Sequence, residues 1–221
     1  MQLVIGNKNY SSWSMRPWLL MTHFGVEFEE QRIPLFQPGY MERLGQYSPT
    51  KRVPVLIDGG LTVWDSLSIC EYVNEKYLDG CAYPEDLKTR SLCRSYCSEM
   101  HSGFHQIRTH LPMNCRARKA LKLNSAIRAE CSRIEQLWQQ ALDSNGGSGP
   151  YLFGRFSIAD CFFAPVATRF RTYGIKLSPQ SSAYRDTILE TAAVRRWVRE
   201  ASAETEVLAD FELGEALDPQ A

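Results

Sequence analysis

Along the first eighty residues the hydrophobic positions switch between a period of two and a period of about 3.6, the marks of strand and helix. Alternation picks out "QLVI" (Gln2 to Ile5) and "EFEEQRIPL" (Glu27 to Leu35) as strands. Helical spacing picks out "SMRPWLLMTHFG", ending at Gly25, the short "GYMERLGQY", and the amphipathic "DSLSICEYVNEKYL". "VPVLIDGGLTVW" is a hairpin turning at Asp58-Gly59-Gly60. The predicted order is β-α-β-α-β-β-α, a small α/β sandwich.

After "DGCAYPEDLKTR" the strand signals stop, and Pro84 stands where a linker or helix start belongs. Helical spacing predicts helices from Asp86 to about Leu111 and from Cys115 to Leu142, the second carried by Leu121, Leu123, Ile127, Cys131, Ile134, Leu137 and Trp138. "DSNGGSGP" (Asp143 to Pro150) is loop-like. "SIADCFFAPVATRF" is a further helix, with Ser157 and Asp160 placed as a capping-box variant and Phe156 and Cys161 as a hydrophobic staple. Shorter helices run to about Ala203, and the polar tail "ELGEALDPQA" is expected to fray. The expected division is 1–80, a linker at 81–85, and an all-helical 86–221.

Composition narrows the partners. Lys plus Arg equals Asp plus Glu at 25 each, so no net field recruits nucleic acid or an anionic membrane. No apolar run reaches bilayer length, and no basic, then apolar, leader precedes the first strand. Seven scattered cysteines fit a reducing cytoplasm and buried thiols better than a disulfide framework. His101 and His105 lie four apart, but no third ligand motif accompanies them, so no metal site is expected.

Two local features have both a plain and a chemical reading. Pro54 at the entry of "VPVLI" is either an edge-strand start or a cis Val53-Pro54 bond. The serines of "NYSSWSMRPWLL" can cap the following helix, worth about 1 kcal/mol, and can also carry chemistry. The pieces "SSWSMR", "SPTKRVPVL", "WDSLSICEYV" and "FSIADCFFAP", in that order, resemble the cytosolic glutathione transferases over nearly the whole chain. The opening most resembles the bacterial, serine-type members of the zeta class, maleylacetoacetate isomerases included, with Trp13 in place of that motif's cysteine.

The resemblance implies a thioredoxin-like N-terminal domain, an all-α C-terminal domain, glutathione as co-substrate and a homodimer. It places the thiol-activating hydroxyl at Ser11, with Ser12 the nearest substitute and Ser14 deeper. A free thiol near pKa 8.5 is mostly protonated at neutral pH, whereas a hydrogen bond to a charged acceptor contributes roughly 1.5–3 kcal/mol, enough to favour the thiolate. Around the tripeptide the resemblance places the Val53 backbone beside Pro54, Asp65 against the γ-glutamyl ammonium, and Ser66 with its helix start against that carboxylate. Lys51 either meets the glycyl carboxylate or is simply solvated. For the second substrate, Met100, Phe104 and Arg108 recur at i, i+4 and i+8 and form either a pocket wall or core. The expected activity is addition of glutathione to a small electrophile. Cis-trans isomerisation of an unsaturated acid and a non-catalytic interaction or stress protein are the alternatives.

Overall fold

The computed structural model describes residues 1–217. Strands β1 (Gln2–Ile5), β2 (Glu29–Arg32), β3 (Val55–Asp58) and β4 (Leu61–Val63) form one sheet in the order β2-β1-β3-β4. Helix α1 (Ser12–His23) crosses over between the parallel β1 and β2, α2 (Tyr40–Gly45) precedes β3, and α3 (Ser66–Tyr77) follows β4. Alternation along β1 decides what each face of the sheet meets. Leu3 and Ile5 enter the main core with Met15, Leu19 and Ile69, while Val4 faces a small cluster of Ile33, Leu44 and Val55. The β3–β4 turn needs positive φ at both central positions, and Gly59 (φ 54°) and Gly60 (φ 89°) supply it. This is the βαβαββα order that the hydrophobic pattern predicts and the thioredoxin-like unit that the resemblance implies.

The second half is built from α4 (Leu87–Ser102), α5 (His105–His110), α6 (Ser125–Ser144), α7 (Ile158–Thr172), α8 (Pro179–Glu190) and α9 (Ala192–Ser202). Every residue of α7 from Ile158 to Phe170 is buried, and the helix packs on α1, α4 and α8. It is the axle that joins the two halves. Its start is fixed by Asp160, whose carboxylate accepts from the Ser157 N–H (2.9 Å), the Ser157 hydroxyl (2.9 Å), the Leu152 N–H (3.3 Å) and the Tyr184 hydroxyl (3.0 Å).

Three local expectations are corrected. The helix predicted through Leu111 stops at Ser102 and restarts at His105, because Gly103 is extended and Phe104 takes a left-handed conformation (φ 62°). Arg108 folds back over the break, donating to the Gly103 carbonyl (2.8 Å) and to those of Met100 and His101, so the free helix end is capped. The stretch before Ser125 is not helical: Lys119–Ala120 forms strand β5, paired with β6 (Glu215–Ala216). The tail from Glu212 to Leu217 is therefore held rather than frayed, and a 3₁₀ turn at Ala209–Phe211 precedes it. Asp218 to Ala221, also part of that expectation, lie outside the described residues.

Candidate active site

A cleft of about 630 Å³ opens where the start of α1, the loop before β3, the start of α3 and the inner face of α4 converge. Trp13, Thr50, Arg52, Val53, Pro54, Trp64, Asp65, Ser66 and His101 line it. The Val53–Pro54 and Trp64–Asp65 peptides are both cis. A larger cavity of about 810 Å³ lies along Glu29, Glu30 and Arg196, remote from the α1 and α3 starts. Size alone does not choose the site, and the convergence of helix starts favours the smaller cleft.

The α1 serines stand immediately before Trp13, and neither lines the cleft wall. They are 7% and 5% exposed. Their protons go to different places. Ser11 is the N-cap: its oxygen accepts from the Ser14 N–H (3.4 Å), and its hydroxyl donates to Ser14 Oγ (2.7 Å), which also accepts from the Gly6 N–H (3.2 Å). Ser12 Oγ accepts from Arg169 Nη2 (3.1 Å), leaving its own proton without an acceptor among the described residues.

Three guanidiniums surround this point. Arg169 donates from Nε to the Leu111 carbonyl (2.9 Å). Arg16 lies over the rings of Trp13 (4.2 Å) and Phe162 (4.5 Å) and donates to Ser66 Oγ (3.4 Å). Arg108 lies over the Trp13 ring at 4.7 Å. Carbonyl oxygens, hydroxyls and aromatic faces receive these cations. Burial, reinforced by the charges of Arg108 and Arg169, pulls Arg16 down to about 9. Burial, then Arg108, pulls Arg169 down to about 10. All three remain cationic at neutral pH, so the field at the α1 start favours a negative charge.

At the α3 start Asp65 serves two neighbours. Its Oδ1 caps the helix by accepting from the Leu67 (2.9 Å) and Ser68 (3.4 Å) N–H groups, and its Oδ2 lies 3.1 Å from His101 Nε2. Burial outweighs the attraction of Asp65 and lowers the His101 pKa. Neutral at physiological pH, the imidazole then donates to the carboxylate from Nε2. Ser66 is fully buried.

The structure brings Val53, Pro54, Asp65 and Ser66 together along the cleft. Lys51 is exposed with φ 51° and stands off the cleft, whose basic wall is Arg52. Met100 and Phe104 are buried in the core, and the helix break removes the shared face with Arg108. His101, one residue along, is the α4 side chain that reaches the cleft. Arg52 adjoins the predicted residues in "TKRVP", whereas Arg169 carries no local signal. Among the described residues no cluster of metal-binding side chains occurs, and no helix is long and apolar enough to cross a membrane. Burial pushes the thiols of Cys70, Cys97 and Cys161 up, so none supplies a nucleophile here.

Comparison with known proteins gives a consistent family. A family model for the glutathione S-transferase N-terminal domain matches residues 10–76, and one for the C-terminal domain matches residues 122–200. Glutathione S-transferase 1 of Dianthus caryophyllus is 28% identical over 75% of this chain and 75% of its own. Maleylacetoacetate isomerase of Rattus norvegicus is 26% identical over 76% of this chain and 78% of its own. Dichloromethane dehalogenase of Methylophilus leisingeri is 39% identical, but the match spans only 26% of this chain and 22% of that protein. The crystal structure of a glutathione transferase homolog from Burkholderia, with bound glutathione, superposes with a TM-score of 0.70 at 23% identity, covering 90% of this chain and 97% of that one.

Proposed function

Since the chain belongs to the glutathione S-transferase superfamily, we propose that it binds glutathione in the cleft between Val53 and Asp65 and delivers its thiolate to a small electrophile. The observation that carries this reading is the arrangement at α1: a serine with an uncommitted proton at the helix start, two buried guanidiniums, Arg16 and Arg169, and the half-buried Arg108. A thiolate there gains a hydrogen bond, the helix-terminal partial charge and the arginine field. Glutathione brings two carboxylates and one ammonium, and the cleft offers matching charge in Arg52 and Asp65 together with the Val53 backbone.

The hydroxyl we assign to the thiol is that of Ser12, since the proton of Ser11 is directed at Ser14. The Ser11–Ser12 pair acts as a unit, one fixing the helix start and one facing the sulfur. A second reading uses the same thiolate for reversible addition to a double bond, rotation and elimination, which isomerises an unsaturated acid. Arg108 over the Trp13 ring supports it. We further propose a homodimer, because Leu61, Trp64, Tyr77, Leu87 and Leu92 are exposed apolar side chains on β4, the β4–α3 connection, α3 and α4.

The test is the ultraviolet absorbance of bound glutathione thiolate across pH. The wild type is expected to hold the thiol roughly 1–2 pKa units below its free value, and Ser12→Ala to return it upward. Binding without a shift in the wild type would refute serine activation, and no binding would leave a transferase-fold interaction protein.

A further inference from the structure

The serines of α1 are delivered by a tight turn, Asn7 to Ser11, that cannot satisfy its own donors. The N–H groups of Tyr10 (3.2 Å) and Ser11 (2.8 Å) bond back to the Asn7 carbonyl, while those of Lys8 and Asn9 point outward. Both outward donors are taken by one carboxylate from the far end of the chain. Lys8 N–H donates to Glu204 Oε1 (2.7 Å) and Asn9 N–H to Glu204 Oε2 (3.0 Å). The Glu204 side chain is only 7% exposed, and Arg32 lies 3.3 Å from Oε1.

The segment that carries Glu204 is itself tied down. Arg116 donates to the carbonyls of Glu204 (2.5 Å) and Glu206 (2.7 Å), and Arg32 pairs with the Glu206 carboxylate at 2.8 Å. On the other side of the turn, Asn9 accepts from the Arg116 N–H (3.1 Å) and donates to Asn114 Oδ1 (3.0 Å). The turn is therefore clamped between two stretches of the helical half.

We propose that Glu204 is a positioning residue for thiol activation: its carboxylate locks the Lys8–Asn9 turn and so sets where the α1 hydroxyls stand relative to the cleft. The inference rests on the reading that those serines activate a bound thiol. A carboxylate suits the task because its two equivalent oxygens accept two N–H groups with charge assistance. A carboxamide of the same shape offers one oxygen and turns its NH₂ against the second donor.

The experiment compares the full-length wild type with Glu204→Gln by bound-thiol pKa, glutathione affinity, turnover and amide hydrogen exchange at Lys8 and Asn9. The expected result is lost protection at both amides and a raised thiol pKa, with affinity unchanged. Turnover should fall by on the order of 10- to 100-fold, the sensitivity of a reaction to a small misplacement. Glu204→Asp, which keeps the charge, should recover part of the shift. If Glu204→Gln does not fold, Arg32→Gln loosens the same carboxylate from a more exposed position and should move the thiol pKa the same way by less. A wild type that binds glutathione without lowering its thiol pKa overturns the serine reading. A wild type that lowers it, beside a Glu204→Gln that lowers it equally, overturns the role of Glu204 alone.

Discussion

The start of α1, Ser11-Ser12-Trp13-Ser14, and the start of α7, Ser157-Ile158-Ala159-Asp160, both place a serine at the N-cap and a polar group three residues on. At α7 that group is a carboxylate. It absorbs four donors, two of them from Ser157, so both protons of that serine are spent on holding the chain. At α1 it is a hydroxyl, which closes a short chain through Ser11 and Gly6 but leaves Ser12 outside it. Ser12 Oγ instead accepts a hydrogen bond from Arg169, a residue of α7 itself. The available proton belongs to Ser12, the residue after the cap, where α7 carries Ile158 and no hydroxyl, while the third position sets the strength of the closure, four donors on a carboxylate against two on a hydroxyl. The closed one also anchors the helix whose arginine orients the open one.

The largest effect should come from opening the closed start. Asp160→Ala strands several buried donors at once, and the loss of folding stability, read from urea denaturation, should be about 3–5 kcal/mol. Activity per folded molecule should change little. A loss no greater than that of an exposed cap, about 1 kcal/mol, would erase the distinction between the two starts.

The next effect is a pH dependence that only the α7 start should show. Burial raises the Asp160 carboxyl from 3.8 to about 6, against the opposing pull of its four donors. Between those values the folded protein holds a proton that the unfolded chain has released. Stability supplied by this group is thus fully present below about pH 4 and is lost as pH rises through 6, by on the order of 3 kcal/mol. Urea midpoints measured from pH 4 to 7 should fall over that window in the wild type. In Asp160→Asn this part of the slope should disappear.

How much of this was legible in the sequence follows from how local each feature is. The βαβαββα order, the Gly59-Gly60 turn and the α7 cap are set within a few residues, and the hydrophobic pattern and turn chemistry display them. Val53, Pro54, Asp65 and Ser66 meet because a β-hairpin joins them and fixes their separation. The break at Gly103-Phe104 was hidden because Arg108 completes the cap from beyond it. Spacing alone pairs His101 with His105, and only the packing of α4 on the cleft distinguishes it from Met100. Arg169 and Glu204 act on Ser12 and the Lys8–Asn9 turn from more than 150 residues away. No spacing rule reports such contacts, and the segment that carries Glu204, between the last predicted helix and the polar tail, is ordered by its partners.

The smallest effect is the most discriminating. The Ser11 oxygen accepts from Ser14 N–H and its proton goes to Ser14 Oγ, so Ser11→Ala removes a helix cap and should cost about 1 kcal/mol of stability. The bound-thiol pKa should stay where the wild type holds it, because no proton aimed at the sulfur has been removed. The opposite result, a thiol pKa that rises in Ser11→Ala and holds in Ser12→Ala, would mean that glutathione draws the Ser11 hydroxyl away from Ser14. The α1 start would then be closed in the free protein and opened by its ligand. The contrast with α7 would become one of strength: a hydroxyl acceptor can be outcompeted by an incoming sulfur, whereas a buried carboxylate with four donors cannot.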